Sequence, residues 1–588
     1  MKQTPQTERP EQHDGRWSAN RRAAVVVGLL LFVHAALAID VARQFTVTHD
    51  EYWHIPVGLL NLKHGQFDYD NLNPPLIRMF AAAPLWLTGT EPGTLPENAD
   101  PRMVGDAFLD AHAENNSASY TNKVLYARLV IVLLSVLTGW MLATWSLQEF
   151  GAVSAVFVTV FWSASPMVLG CASLVTTDLG AGALFVAAIW RAWRFAGEPS
   201  WPNALWMAVA LGLGPLAKYT CVLAIPFAIA TWFIRRAFNR DRMNQTVLVT
   251  LSQWIVAATL SLTIINAGYF LHGTGSTLTD YNFRSRLFAN TQQQLKPIAD
   301  LPLPFPNDLV SGMDHQRMMM EGNHPVYLDG VWSEHGSWDY FTRAIGYKVP
   351  HAFQLAFLFA FVMAVSVAGR SKFRLNLVIL LPAATLLVLA SGSGMQLGLR
   401  YIFPVFPLAF VFMSQLGRIR WKWSSLTAIA VGVLMVGCLL SVRHHPNHMA
   451  YFNEGFGGME AGRTRLLDSN IDWGQDLFQL PAYMEENNIN EIGLAYFGMI
   501  PPDRLGINFT VPKMESLKPG WYAVSVNFVY GRPHTIRDET GAVSHTNIGA
   551  FSMFQLFEPV DRLGQSIDIY RLSDIDIANA QSMMRGSR

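Results

Sequence analysis

The chain has 588 residues, of which 51% are hydrophobic and 15% charged, with a formal net charge of zero. Soluble domains carry roughly 25% charged residues, so this composition excludes an ordinary multi-domain soluble protein and points to a polytopic membrane protein. The neutral balance gives no overall pull toward nucleic acid or another highly charged partner. Cys171, Cys221 and Cys438 fall in or beside apolar segments without metal-ligand spacing, so they read as small buried thiols rather than a disulfide framework or a zinc site.

Residues 1–20 are polar, with Pro and Gln, and predict a disordered cytoplasmic N-terminus. The apolar run after Arg21-Arg22 has no small-residue cleavage site and reads as a retained anchor. A membrane span needs about 20 mostly apolar residues. Segments 23–41, 124–146, 151–170, 178–195, 203–217, 219–234, 247–271, 352–369, 375–391, 399–417 and 424–442 approach that length, which predicts an all-α polytopic bundle of about eleven transmembrane helices. Only Lys218 separates the fifth from the sixth.

Short cytoplasmic loops collect Lys and Arg. With the N-terminus inside, the cytoplasmic connections are Gln148–Gly151, Arg191–Trp201, Arg235–Arg242, Arg370–Arg374 and Arg418–Lys422, and all but the first are basic. An odd number of spans then sends the C-terminus outside. The expected location is the inner or plasma membrane, with a transmembrane domain over 21–442 and three long extracytoplasmic segments, about 42–123, about 272–351 and 443–588.

Loops of such length carry function or structure of their own. Within the first, Pro75–Leu87 is apolar but too short to span, which fits either an interfacial helix or an ordinary surface helix on the bundle. The second is rich in Gly, Asn, His and aromatics, as a cap or substrate-facing loop would be. The third predicts a small extracytoplasmic α/β domain: Leu477–Glu486 as a short helix, Trp521–Phe528 as a half-buried strand by its alternation, and Ser566–Tyr570 as another.

Ionisable groups where a span meets water are costly and mark function. Thr48-His49-Asp50-Glu51-Tyr52-Trp53-His54 follows the first span, and Asn73-Pro74-Pro75-Leu76 follows it. Two adjacent acids should push one pKa up, as suits a base. Neighbouring side chains diverge, so one of Asp50 and Glu51 is expected to face a cavity while the other holds structure. A capped or ion-paired surface acid is the plain alternative. Asp178, in Ser173–Gly180, opens the fourth span and fits either a second site carboxylate or a helix cap. Arg128, Lys218 and Arg400-Tyr401 all sit at outer ends of spans. Each alone reads as a snorkelling side chain; together they suit a phosphate, which Arg meets through its fork and Lys through a compact charge. After the last span, Leu467–Asp476 (LDSNIDWGQD) is dense in acids and amides, including Asp472 and Trp473.

In THDEYWHIP with NPPL, the TTD at 176–178, the RY at 400–401 and DSNIDWGQDL, the chain resembles GT-C superfamily glycosyltransferases. The likeness is to the lipid-carrier-dependent protein O-mannosyltransferase and aminoarabinose-transferase type, in its bacterial form. It departs in showing no signature of the sugar-binding insert of eukaryotic O-mannosyltransferases and in its added C-terminal domain.

The resemblance implies transfer of a sugar from a polyprenyl-phosphate donor to an acceptor hydroxyl on the extracytoplasmic face, by single displacement with inversion. Asp50 would be the base, with Glu51 and Asp178 as further catalytic carboxylates. Arg128, Lys218, Arg400 and Tyr401 would meet the donor phosphate, and His54, Pro74, Pro75, Asp472 and Trp473 are further site candidates. Partners are the donor, membrane lipid and a hydroxyl acceptor of protein, lipid or glycan type. The scheme requires no metal, although a divalent cation bridging carboxylates and donor is compatible with it. No Walker A, dinucleotide, HExxH or Gly-x-Ser-x-Gly motif occurs, which favours a lipid-linked donor. The rival class is a transporter or lipid flippase, which calls for mid-span charges, internal repeats or matched broken helices.

Overall fold

In the computed structural model the described residues are 10–113, 117–236, 247–366, 371–419 and 426–586. The helices in chain order begin with α1 (Pro10–Gln44), α2 (Glu51–His64), α3 (Leu76–Leu87), α4 (Pro101–Ala113), α5 (Ser117–Phe150), α6 (Ala152–Ala164) and α7 (Pro166–Ala172). There follow α8 (Thr177–Gly197), α9 (Trp201–Ala217), α10 (Ala224–Arg236) and α11 (Val247–Gly268). Then come α12 (Arg286–Gln294), α13 (Asn307–Glu321), α14 (Tyr340–Lys348), α15 (His351–Val365), α16 (Phe373–Ser391), α17 (Val405–Ser414) and α18 (Leu426–Leu440).

The described part of each apolar segment expected to span falls largely on helix; residues 367–369 and 424–425 of those segments lie outside the described residues. Among the described residues five helices are long and apolar enough to cross a membrane, and up to seven if each of two bent pairs is one span. The chain is a multi-pass membrane protein. The bends have local causes: Pro166 starts α7 after a 65° break from α6, and Val349-Pro350 separates α14 from α15, which meet at 114°. Proline removes a backbone donor and clashes with the preceding turn, so a helix restarts there rather than running through. α1 begins at Pro10, inside the segment expected to be disordered, and residues 1–9 lie outside the described residues.

The bundle has two chemically different ends. At one, Lys372 pairs with Glu149 at 3.1 Å, Arg194 bonds Gln148 at 3.1 Å and Arg236 bonds the carbonyl of Ala196, gathering the basic connections together. At the other, the three long segments interlock. Thr46 N–H donates to Gln475 O at 2.8 Å, Asn453 N–H to Tyr347 O at 2.8 Å, and the Tyr219 hydroxyl to Asn71 O at 2.8 Å. α2 and α3 form a tight hairpin here, because Gly58 lets the Arg78 carbonyl approach: a Cβ at Gly58 would lie 2.2 Å from that oxygen. Arg78, itself buried, bonds Asp70 at 3.0 Å and Asn61 at 2.8 Å from inside the hairpin.

The middle segment carries an antiparallel hairpin, β1 (Val326–Leu328) with β2 (Val331–Ser333). The tail folds on β3 (Ile492–Ala495), β4 (Phe509–Thr510), β5 (Gly520–Ser525), β6 (Thr535–Arg537), β7 (Val543–His545), β8 (Asp561–Leu563) and β9 (Ile567–Leu572). Its main sheet runs β4-β3-β5-β9-β8, parallel on both sides of β3 and antiparallel thereafter, while β6 and β7 form a separate hairpin. The helix Gln479–Glu486 matches the expected one. The strand expected over Trp521–Phe528 stops at Ser525, where Val526–Val529 turns into a helical segment whose Asn527 caps the 468–472 stretch.

Candidate functional site

Where the three long segments meet, a cavity of about 320 Å³ opens beneath the tail. Asp50, Lys218, Arg400, Tyr401 and Trp473 line it, together with Thr177, next to Asp178. The turn that presents Asp50 is held from the tail, since His49 N–H donates to Trp473 O at 3.0 Å.

Asp50 and Glu51 point to different places. The Glu51 carboxylate is fully buried and accepts five hydrogen bonds. Oε1 takes Arg128 Nε at 2.9 Å and Val175 N–H at 2.8 Å; Oε2 takes Arg128 Nη2 at 2.7 Å, Thr48 N–H at 3.0 Å and the Thr48 hydroxyl at 2.8 Å. Arg128 also donates to the carbonyls of Ala42, Phe45 and Thr46. That engages all five of its N–H groups. The phosphate role expected for Arg128 therefore finds no donor left for it, and Arg128 does not line the cavity.

Asp50 stands in the cavity. Its Oδ2 accepts from Arg400 Nη1 at 2.7 Å, and its Oδ1 is 3.3 Å from His49 Nδ1. The sequence expectation that one acid of the pair would be raised does not hold. Burial favours the neutral form, but the charge of Arg400 and the contacts of His49 outweigh it and hold Asp50 well below the usual carboxylate range. Arg128 acts likewise on Glu51 against the effect of burial.

Asp178, buried in the first turn of α8, receives Lys218 Nζ at 2.5 Å and lies 3.8 Å from Arg400 Nη1. Lys218 reaches it because α9 ends there, at an extended residue before the turn Tyr219–Leu223. Arg400 sits in a helical turn after Gly398, whose φ of 137° would strain a side chain and where an added Cβ would crowd Ser469 Oγ at 3.1 Å. Its guanidinium lies 4.1 Å over Trp473 and 5.1 Å from the Tyr401 ring, and its Nε donates to Ser469 at 3.1 Å. Two cations and two carboxylates thus form one short network, Asp50–Arg400–Asp178–Lys218.

The other sequence candidates surround this centre. His54 is buried behind it, with Nδ1 3.2 Å from Val175 O. Pro74 and Pro75 lead into α3, leaving Asn73 in the cavity wall. Asp472 does not line the cavity; it is buried, and its Oδ1 accepts Gly474 N–H at 2.9 Å. Burial pushes its carboxyl up to about 7.

Sequence reading missed the wall supplied by the tail. Phe497 and His534 stack at 4.2 Å, and Arg532 pairs with Asp468 at 2.9 Å, all four lining the cavity. Asp468 lies in a stretch the sequence singled out, but nothing local marks Arg532 or His534. A second cavity of about 320 Å³ adjoins the first through Lys218, Gln316, Met395 and Tyr401, then continues along Leu386 and Leu389 of α16. It joins charged groups at one end to apolar helix faces at the other.

No model of a known protein family matches the sequence, and no curated protein matches it. Among solved structures, ArnT from Cupriavidus metallidurans bound to undecaprenyl phosphate is similar, at 12% identity and a TM-score of 0.47, covering 93% of this chain and 98% of that one. The same protein in its apo state gives 13% identity and a TM-score of 0.49 over 90% and 99%. An oligosaccharyltransferase from Archaeoglobus fulgidus, in complex with zinc and sulfate, gives 11% and 0.37 over 88% and 73%. These are remote likenesses in chain layout.

Proposed function

We propose that the protein is a glycosyltransferase that moves a sugar from a polyprenyl-phosphate donor to an acceptor hydroxyl, in the compartment faced by the three long segments. The observation that carries this reading is the convergence of Lys218, Arg400 and Asp50 at one cavity, with Asp178 buried behind the two cations, at 2.5 to 3.8 Å. A phosphate leaving with its bonding pair gains negative charge, and preorganised cations in a site shielded from water lower that barrier most. Lys218 and Arg400 are placed for this, and Tyr401 packs against both. Asp50 serves the deprotonation of the acceptor. Glu51 and Arg128 hold the turn that presents it. The adjoining amphipathic cavity supports a donor whose head is charged and whose tail is lipid. A single displacement inverts the anomeric centre, and a phosphate leaving group needs no proton from a second acid, unlike the sugar leaving groups of glycoside hydrolysis.

The test uses membranes holding wild type or Asp50→Asn at matched expression, a panel of radiolabelled polyprenyl-phosphate sugars, and envelope extract as acceptor. Label passing to a product with wild type, and far more slowly with Asp50→Asn, is the expected result. Wild type that transfers no label from any donor, yet carries solute or lipid across vesicles, overturns the reading in favour of transport.

A further inference from the structure

The group best placed to receive the acceptor's proton is not Asp50. Both oxygens of that carboxylate are engaged: Oδ2 by Arg400 at 2.7 Å and Oδ1 by His49 Nδ1 at 3.3 Å. Protonating Asp50 would cost it the ion pair with Arg400, which would then keep only the more distant Asp178 at 3.8 Å.

His49 has the opposite character. Its imidazole lines the cavity with 21% of the side chain exposed, and among the described residues its Nε2 has no hydrogen-bond partner. The ring is fixed on three sides: edge-on to Trp53 at 4.8 Å, against His534 at 4.8 Å, and by Nδ1 on Asp50. With Nδ1 carrying the hydrogen toward the carboxylate, Nε2 presents its lone pair to the cavity. An imidazole nitrogen with an open lone pair is a better proton acceptor than a carboxylate held in an ion pair.

Resting on the glycosyltransferase reading, we propose that His49 Nε2 takes the proton of the acceptor hydroxyl, and that Asp50 is a positioning residue that orients the imidazole and stabilises it once charged. The acceptor O–H bond breaks and its proton passes to Nε2. The freed oxygen pair forms the new bond to the anomeric carbon. The bond from that carbon to the phosphate oxygen breaks, and its electron pair leaves on the phosphate beside Lys218 and Arg400. The imidazolium that results faces the Asp50 carboxylate.

Other charged groups around His49 permit this. His534, its neighbour from the tail, is kept neutral: burial first, then the nearness of His49 and Arg532, lowers it well below the ordinary histidine range. Arg532 is paired with Asp468, and Arg400 lies on the far oxygen of Asp50. His54 is turned to the Val175 carbonyl at 3.2 Å and to Asp70 at 4.0 Å. Trp53 and Phe497 complete the wall without charge.

Single-turnover transfer from a labelled polyprenyl-phosphate sugar, measured from pH 5 to 8 on purified protein, tests the assignment. Wild type is expected to lose rate below the histidine range in proportion to proton concentration. His49→Gln is expected to lose about a hundredfold or more and to lose that pH dependence, while still retaining labelled donor. Added imidazole restores His49→Ala, and Asp50→Asn keeps an acid limb displaced to lower pH because the imidazolium has lost its carboxylate. His49→Gln within threefold of wild type, or a wild-type profile flat across the histidine range, overturns the proposal even if the substitution harms folding. Wild type that transfers nothing from any donor overturns the glycosyltransferase reading itself, a separate outcome.

Discussion

Two neighbouring carboxylates, Asp50 and Glu51, meet two arginines and do different work. Glu51 and Arg128 are sealed, at 0% and 2% side-chain exposure, and saturate one another and the surrounding backbone. Asp50 and Arg400 keep 19% and 16% exposure at a cavity wall. The first pair ties the end of α1, the first turn of α2, the flank of α5 and the 173–176 turn into one rigid node. The second is reachable, linked through Asp178 to Lys218, and able to exchange partners with a ligand. Under the proposed function the motif of two acids carries one structural and one chemical group, and the backbone divergence of adjacent side chains is what separates them.

The largest effect should come from breaking the sealed pair. Arg128→Ala leaves Glu51 charged and unpaired in the interior, a loss of about 3–5 kcal/mol, read as a collapse of folded yield and thermal midpoint in detergent. Next, Lys218→Ala and Arg400→Ala should each cut transfer by about a hundred- to a thousandfold. Thermal midpoints should fall less than for Arg128→Ala, because Asp178 keeps one of its two cations in either variant and Asp50 is part-exposed.

A smaller effect concerns Asp472, raised from 3.8 to about 7. A carboxyl raised in the fold stabilises fully below its unfolded value, and that contribution is lost as pH rises through about 7. Asp472→Asn should therefore flatten the fall in thermal midpoint between pH 4 and 7 and leave transfer close to wild type. The smallest effect is chelation. If Lys218 and Arg400 supply the positive charge, EDTA should change the transfer rate less than twofold.

Much of this arrangement was legible beforehand. Composition and apolar length located the helices, because a bilayer constrains segments strongly. Asp50, Asp178, Lys218, Arg400 and Trp473 stood out because ionisable or amphipathic groups at apolar ends are costly, and they do meet. Arg128 carried the same local signal as Arg400. Only tertiary structure distinguishes them, since the carbonyls of Ala42, Phe45 and Thr46 that occupy Arg128 lie more than 80 residues away. Arg532 and His534 were invisible for a related reason: they reach the cavity through the packing of the tail, not through a motif. The bends at Pro166 and Pro350 had visible causes, but periodicity could not say that the segments turn by 65° and 114°.

The division of labour between the two acids is tested most directly by measuring transfer and thermal midpoint on the same purified samples of Asp50→Asn and Glu51→Gln. The expected result is a crossed pattern: Asp50→Asn keeps its midpoint within a few degrees and loses transfer, whereas Glu51→Gln loses several degrees and, at temperatures where it remains folded, retains more transfer than Asp50→Asn. Equal loss of both properties in both variants would contradict the account, because the two carboxylates would then belong to one inseparable unit.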